Sequence, residues 1–287
     1  MKKDNYAKST RRTKIVFGIV GVFFFIYSLT YLVTFGWAFI NSLKDKLEFI
    51  RYPLEMPKKL HFENYVNAFD TLKIGENNLF NLLFNSIWFA GGATFINVLT
   101  TNATAYCVSK YRFKGRNIIY NVAIFTMLIS VVGSLPATYE ILGFLNILDT
   151  PLYLITYASG IGFNFLLMYG FYKNVSWEYA EAVFVDGGGH YTVFFKVMLP
   201  QSLPMCVALF IVQFIGLWND YMTPLLFLRD FPTLASGLYL FQYVPSIRAN
   251  YPLYYASILI ATIPVVVLYS VFQESIMTNT VAGGLKG

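Results

Sequence analysis

Residues 176–204 read SWEYAEAVFVDGGGHYTVFFKVMLPQSLP, a polar interruption between two long apolar stretches. Ser176 is a good N-cap for a helix that begins one residue later. The glycines at 187–189 permit a positive φ and a tight reversal, so they end that helix. A second short helix over 191–199 is expected to stop before the proline that follows. The stretch therefore predicts a compact helix–turn–helix, which we call the knob (residues 176–199).

The first helix of the knob has two chemically different faces, because residues three and four apart lie on the same side of a helix. The apolar face carries Trp177, Ala180 and Phe184. The acidic face carries Glu178, Glu181 and Ala182. This pattern predicts a handle that packs on the protein by one face and displays the other.

The rest of the chain is dominated by apolar runs. Hydrophobic residues make up 56% of the sequence and charged residues 13%, whereas a soluble domain averages about 25% charged residues. Six runs without Asp, Glu, Lys or Arg approach or exceed the roughly 20 residues that cross a bilayer. We therefore predict an all-α integral membrane protein with six transmembrane helices, at about 15–40, 80–106, 117–135, 151–172, 203–227 and 253–276.

Basic residues are concentrated on one predicted side of the membrane. The N-terminal tail holds Lys2, Lys3, Lys8, Arg11, Arg12 and Lys14, and the second connection holds Lys110, Arg112, Lys114 and Arg116. Cytoplasmic loops carry an excess of Lys and Arg. Both termini, and the knob with them, are therefore expected in the cytoplasm.

The predicted spans divide the chain into three regions. Residues 1–79 comprise the cytoplasmic N-terminal tail, the first transmembrane helix and the first external loop, whose composition is compatible with short amphipathic helices. Residues 80–276 form a five-helix core that includes the loop at 173–202, and residues 277–287 form a cytoplasmic tail. Small and polar residues at 91–94 and 100–105 favour close helix packing, with lining of a transport pathway as the alternative.

The knob resembles permease subunits of ATP-binding-cassette importers, whose pattern is E-A-A-x-x-D-G-A-x(6)-F-x-x-I-x-L-P-x-x-x-P. The matching residues are Glu181, Ala182, Asp186, Gly187, Phe194, Leu199, Pro200 and Pro204. Val183 replaces the third-position alanine, Gly188 the small residue after the glycine, and Val197 the isoleucine. The resemblance implies the type I importer permease fold, with the knob as the coupling helix that docks in a cleft of the ATPase subunit.

Three further stretches resemble carbohydrate importers. Residues 218–221, Trp-Asn-Asp-Tyr, look like the fifth-helix signature of these permeases, and residues 233–238 look like the loop that follows it. The tail at 281–287 is similar to the C-terminus of the shorter maltose-type permease subunit. The resemblance implies import of a sugar or oligosaccharide through a bacterial inner membrane.

The chain lacks the means to power such transport. No G-x-x-x-x-G-K-[ST] sequence occurs, so it has no phosphate loop for ATP. His61 and His190 fall on opposite predicted sides of the membrane and cannot share a metal, and Cys107 and Cys206 are expected to be packing residues. We expect no cofactor, no enzymatic activity and no nucleic-acid partner. The implied partners are a second homologous permease subunit, two ATPase subunits, an extracellular solute-binding protein, the sugar and membrane lipid.

Residues near the outer end of the fifth predicted helix are candidates for the transport pathway. Asp220 lies near the outer end of the fifth predicted helix, where it either supports the fold, for example by capping a neighbouring helix, or contacts substrate or binding protein. Asn219, Tyr239 and Tyr243 are candidates for the same contact, since aromatic faces suit both sugars and the membrane interface.

The sequence is compatible with two alternatives to a sugar importer. The coupling pattern is shared by importers of other solutes, so a non-sugar substrate is one alternative. A self-powered secondary transporter is the other, although such proteins carry buried ionisable relays and often inverted repeats. Asp220 is the one ionisable candidate for such a relay, and no repeat is visible.

Overall fold

The computed structural model describes residues 11–71, 73–128, 133–243 and 250–282, which are mostly helical. The chain forms a 3₁₀ helix at Pro151–Tyr157 and a π-helical segment at Phe194–Met198. The other elements are α1 (Arg11–Ser42), α2 (Lys46–Arg51), α3 (Glu63–Thr71), β1 (Lys73–Ile74), β2 (Asn77–Asn78), α4 (Leu79–Lys110), α5 (Arg116–Leu128), α6 (Ser134–Phe144), α7 (Phe163–Asn174), α8 (Glu178–Val185), α9 (His190–Val193), α10 (Leu199–Trp218), α11 (Met222–Phe227), α12 (Leu234–Phe241) and α13 (Tyr251–Ala282).

Within those ranges, four helical stretches are long and apolar enough to cross a membrane. They are Thr13–Ser42, Leu79–Lys110, His190–Trp218 and Tyr251–Gln273. They correspond to the first, second, fifth and sixth predicted spans. The third predicted span, 117–135, covers α5 and the start of α6, and its residues 129–132 lie outside the described part of the chain.

The fourth predicted span, 151–172, is not one helix. The 3₁₀ helix ends at Tyr157, and α7 begins only at Phe163. The break contains Gly160 at φ +60° and Gly162 at φ +139°, conformations that side-chain-bearing residues rarely adopt. A Cβ on Gly160 would lie 2.7 Å from the Thr104 hydroxyl of α4, so glycine also permits the close approach of the two segments.

The fifth predicted span, 203–227, was wrong at both ends. Helical structure runs from His190 through the π-helical segment into α10, so the second short helix does not stop before Pro200. Pro200 is the second residue of α10, directly after the π-helical segment, so the helical stretch continues through it. At the other end, α10 stops at Trp218, and α11 is a separate short helix that begins at Met222.

The chain divides into two compact units, and the first comprises residues 1–68 and 245–260. In it, most of α1 is exposed as far as Phe35, but its end is tied to the following loop. Asn64 Nδ2 donates to the carbonyls of Ser42 and Lys44, at 2.8 and 2.9 Å. The buried Lys44 ammonium donates to the Tyr52 carbonyl at 2.8 Å. Helices α2 and α3 are the short helices expected in the first loop.

The second unit comprises residues 69–244 and 261–287, and α4 is its central helix. Helices α7 and α10 and the 3₁₀ helix pack against α4. One apolar core lies between α4, α7, α10 and the knob, and it includes Tyr106, Phe165, Tyr172, Ala180 and Met198. A second core lies where the 3₁₀ helix and α11 meet α4, around Phe89, Tyr153 and Phe227.

Candidate functional site

The first helix of the knob is capped at both ends. Ser176 Oγ accepts a hydrogen bond from the Glu178 N–H at 3.2 Å, as the sequence predicts for a cap, although α8 begins one residue later than expected. At the other end Gly187 has φ +79°, and its N–H donates to the Phe184 carbonyl at 3.1 Å. The Gly188 N–H donates to the Val183 carbonyl at 2.8 Å. These two bonds form a Schellman cap, which fixes the direction of the turn.

The two faces of α8 are as the sequence predicts. Ala180 is fully buried, and Trp177 and Phe184 are half-buried against the core. Glu178, Glu181 and Ala182 are exposed. Beyond them Val185 is 86% exposed, and Asp186 and Gly187 are exposed at the turn. The tip of the knob (residues 181, 182 and 185–187) thus combines two carboxylates with a large uncovered apolar side chain.

Aromatic rings seat the knob on the end of α4. The Tyr111 ring lies 5.7 Å from that of Trp177, and its hydroxyl is 2.9 Å from His190 Nδ1. Tyr106 contacts Phe194 at 5.0 Å between ring centroids, and its hydroxyl lies 3.0 Å from that of Tyr111. Tyr111 therefore contacts both halves of the knob, through Trp177 and His190, and Tyr106 contacts Phe194. We call Tyr106 and Tyr111 the aromatic seat of the knob.

The predicted coupling residues therefore divide into two groups. Glu181, Ala182, Asp186 and Gly187 lie together on the exposed tip. Phe194, Leu199 and Pro200 lie at the base, where Phe194 is packed in the aromatic seat and Leu199 begins α10. The tip is exposed, whereas the base connects the knob to α10.

A shallow groove of about 380 Å³ beside the seat was not predicted. It lies between the end of α4 and the second helix of the knob, with Tyr191 84% exposed and Phe195 56% exposed on its rim. Its walls include Ala103, Cys107 and Tyr111. The groove extends the uncovered aromatic surface of the knob away from its tip.

The sequence alone did not predict a buried polar cluster in this unit. Asn102 of α4, Tyr172 of α7 and Ser202 of α10 are fully buried and hydrogen-bonded to one another. The stretch 100–105 was expected to serve helix packing or a pathway, and Asn102 is the residue in it that bonds to α7 and α10. An asparagine within an apolar helix was the available signal.

The candidate external residues fall into two neighbouring sets. Asn219 Nδ2 donates to the Ile215 carbonyl at 2.8 Å, and Asp220 Oδ1 accepts from the Thr223 N–H at 3.1 Å, so both side chains bond at the α10–α11 break. Tyr239 and Tyr243 lie 5.5 Å apart, and Tyr221, which was not predicted, stacks on Tyr239 at 4.5 Å.

Comparison with known proteins identifies the family of this arrangement. Residues 98–277, which contain the knob, its seat and the buried polar cluster, match the family described as binding-protein-dependent transport system inner membrane component. The chain belongs to this family. The expectation of an importer permease, a membrane transport component, is thereby confirmed.

Similar proteins cover nearly the whole chain. The diacetylchitobiose uptake system permease protein NgcG of Streptomyces coelicolor is 28% identical, over 91% of this chain and 86% of NgcG. The arabinooligosaccharides transport system permease protein AraQ of Bacillus subtilis is 26% identical, over 93% and 94%. The trehalose/maltose transport system permease protein MalG of Thermococcus litoralis is 29% identical, over 89% and 92%.

A solved structure has the same fold. It is a chain of a bacterial ABC transporter involved in the import of the acidic polysaccharide alginate, with a TM-score of 0.77 and 20% identity. The match covers 92% of this chain and 98% of that one.

Proposed function

We propose that the chain is a permease subunit of a bacterial importer for a sugar or oligosaccharide, driven by separate ATPase subunits. The names of the similar proteins support the substrate class, because NgcG, AraQ and MalG are all named as permeases for sugars or oligosaccharides. The observation that carries the mechanism is the knob: a capped helix with an exposed tip, seated by aromatic contacts on the end of α4.

The knob suits the transfer of a movement from a partner to the bundle. Glu181 and Asp186 give its tip charges that can pair with basic side chains of an ATPase cleft, and Val185 gives it an apolar contact. Ala180 is buried beneath the tip, and the Schellman cap holds the turn, so the tip cannot shift without its base. Displacement of a docked knob is therefore passed to α7 and α10, which precede and follow it.

The complete importer is proposed to contain a second, homologous permease subunit, two ATP-binding-cassette ATPase subunits and an extracellular solute-binding protein. In it, the chain crosses the bacterial inner membrane six times with both termini in the cytoplasm. The first 79 residues, the core at 80–276 and the tail at 277–287 keep the roles assigned from the sequence. Residues 1–10, 72, 129–132, 244–249 and 283–287 of these regions lie outside the described part of the chain.

Substrate or binding-protein contact is proposed for the tyrosines near the α10–α11 break. Tyr221 stacks on Tyr239, and Tyr243, which is 57% exposed, meets Tyr239 edge to face. Aromatic faces pack on the C–H surfaces of sugars, and the tyrosine hydroxyls offer hydrogen bonds to sugar hydroxyls. Asn219 and Asp220 are proposed to hold the break beside this stack in place.

Reconstitution tests the proposal. The chain is purified with its co-assembled subunits and placed in liposomes with the binding protein and a panel of radiolabelled oligosaccharides. The wild type is expected to accumulate one sugar class only when ATP is supplied to the ATPase side. Glu181→Lys is expected to assemble normally but to lower uptake at least about tenfold, which corresponds to about 1.4 kcal/mol.

Glu76→Lys is the matched control, because it makes the same charge reversal at an exposed residue outside the knob. It is expected to keep wild-type uptake. Uptake of a non-sugar solute alone would replace the proposed substrate class, and uptake without ATP would overturn the importer mechanism.

A further inference from the structure

The buried polar cluster described above lies where the knob joins the helix bundle. Tyr172 is on α7, two residues before that helix ends at Asn174. Ser202 is on α10, three residues after that helix begins at Leu199. The chain therefore leaves the bundle at one member of the cluster and returns at another, and Asn102 of α4 bonds to both.

Both polar atoms of the Asn102 side chain have hydrogen-bond partners. Its Nδ2 donates to Ser202 Oγ at 2.7 Å and to Cys206 Sγ at 2.9 Å, and Met168 Sδ lies 3.9 Å from the same nitrogen. Its Oδ1 accepts from the Tyr172 hydroxyl at 2.8 Å, and that hydroxyl also lies 3.0 Å from Ser202 Oγ. Ser202 Oγ in turn donates to the Leu199 carbonyl at 2.9 Å. Each polar group thus has its partner in another helix or in the first turn of α10.

The burial of these polar groups favours one specific hydrogen-bonded geometry. Asn102, Tyr172 and Ser202 are each fully buried, and Cys206 is 9% exposed. A buried polar group without a partner is costly, so the members hold one geometry together and are expected to move together. Phe165 and Met198 belong to the same apolar core, in which the Met168 sulfur, 3.9 Å from Asn102 Nδ2, offers only a weak acceptor.

We propose that Asn102, Tyr172 and Ser202 form a clamp that closes the base of the knob, so that movement of the docked knob displaces α4, α7 and α10 as one body. Without the clamp, α7 and α10 can respond to the knob separately, and ATP hydrolysis no longer produces a complete opening of the bundle. These residues are positioning residues for transport. The inference rests on the proposed function of the knob.

The experiment measures sugar molecules imported per ATP hydrolysed in the reconstituted complex. Asn102→Leu, which has a similar volume but no polar group, is expected to lower this ratio by about five- to tenfold, the lower part of the usual range of coupling between sites. Tyr172→Phe and Ser202→Ala each remove one hydroxyl and are expected to lower it less. Their combination is expected to be no more severe than Asn102→Leu, because all three remove parts of one unit.

Asn97→Leu is the matched control on the same helix. Asn97 Nδ2 donates to the Tyr157 carbonyl of the 3₁₀ helix at 3.0 Å, away from the base of the knob. This variant also loses an interhelical hydrogen bond, but it is expected to keep the wild-type ratio of sugar to ATP.

Two outcomes would overturn the clamp. If Asn102→Leu lowers only the yield and the thermal stability of the complex, with an unchanged ratio of sugar to ATP, the cluster is structural. If Asn97→Leu lowers the ratio of sugar to ATP as much as Asn102→Leu does, the loss of coupling is not specific to the clamp. Failure of the wild type itself to couple uptake to ATP would instead refute the proposed function, so the two failures are distinguishable.

Discussion

The turn of the knob offers a quantitative test of its packing. A Cβ on Gly188 would lie 2.5 Å from Val183 Cγ1 and 3.0 Å from the Val183 carbonyl oxygen. Val183 and Gly188 are two of the three positions where the chain departs from the importer pattern, which has alanine at the first and a small residue, alanine, at the second. The extra methyl groups of Val183 thus occupy the space that the missing methyl group of Gly188 leaves, and the two departures compensate.

The magnitude follows from the contact distance. Overpacking costs about 1–3 kcal/mol, and replacement of glycine by alanine returns about 0.4–1 kcal/mol through the unfolded chain. Gly188→Ala is therefore expected to destabilise the turn by about 1–2 kcal/mol net. Val183→Ala costs about 1 kcal/mol, because Val183 is half-buried. In the double variant the clashing methyl group is gone, so its cost is expected to be close to that of Val183→Ala alone.

Hydrogen–deuterium exchange of the peptide spanning 176–190 measures this local free energy. Gly188→Ala is expected to accelerate exchange of the cap amides about 5- to 30-fold, the factor that corresponds to 1–2 kcal/mol. The double variant is expected to exchange about as fast as Val183→Ala alone, and only slightly faster because the 3.0 Å contact with the Val183 carbonyl remains. Additive effects of the two substitutions would refute the reasoning, because independent sites show no coupling energy.

Three further predictions concern the rest of the chain. Tyr243→Ala is expected to raise the sugar concentration for half-maximal uptake about 2- to 10-fold, the value of an aromatic contact, whereas Tyr243→Phe keeps it; equal effects would exclude stacking. Burial lowers the pKa of Lys44, so the unfolding temperature should rise as the pH increases from that lowered pKa to the ordinary lysine pKa of about 10.4, and Lys44→Met should abolish the rise. The hydrogen bond from His61 lowers the pKa of Glu63, so its stabilisation should be present above the ordinary glutamate pKa of about 4.3 and be lost as the pH falls through the lowered value; a Glu63→Gln variant with an unchanged acid unfolding profile would contradict this.

The parts that sequence reasoning predicted depend on local chemistry. The cap at Ser176, the reversal at Gly187 and the two faces of α8 each follow from a few neighbouring residues. Long apolar stretches likewise predict α1, α4 and α13, because a bilayer requires about 20 apolar residues irrespective of tertiary contacts.

The breaks in the apolar stretches were missed because hydropathy does not register them. Gly160 and Gly162 lie within an apolar sequence, yet their positive φ values separate the 3₁₀ helix from α7. The end of α10 depends on the side chain of Asn219, which bonds back to the Ile215 carbonyl. Pro200 gave the opposite error, because the helical stretch does not end before it but continues through it after the π-helical segment.

The Asn102 cluster was missed for a different reason. Its three principal residues are separated by 70 and 30 positions in the chain, so no local pattern connects them. The sequence carried only the signal that an asparagine stood in an apolar helix. Its partners depend on the packing of α4 against α7 and α10.

Photo-crosslinking tests the central claim, docking of the knob on an ATPase, most directly. A photoreactive phenylalanine derivative is placed at Val185, 86% exposed on the tip, and separately at Tyr52, 42% exposed in the first loop, in the assembled complex in native membranes. The account predicts that Val185 captures an ATP-binding-cassette ATPase subunit, identified by mass spectrometry, and that Tyr52 does not. Capture of the ATPase from Tyr52, or of lipid alone from Val185, would contradict it.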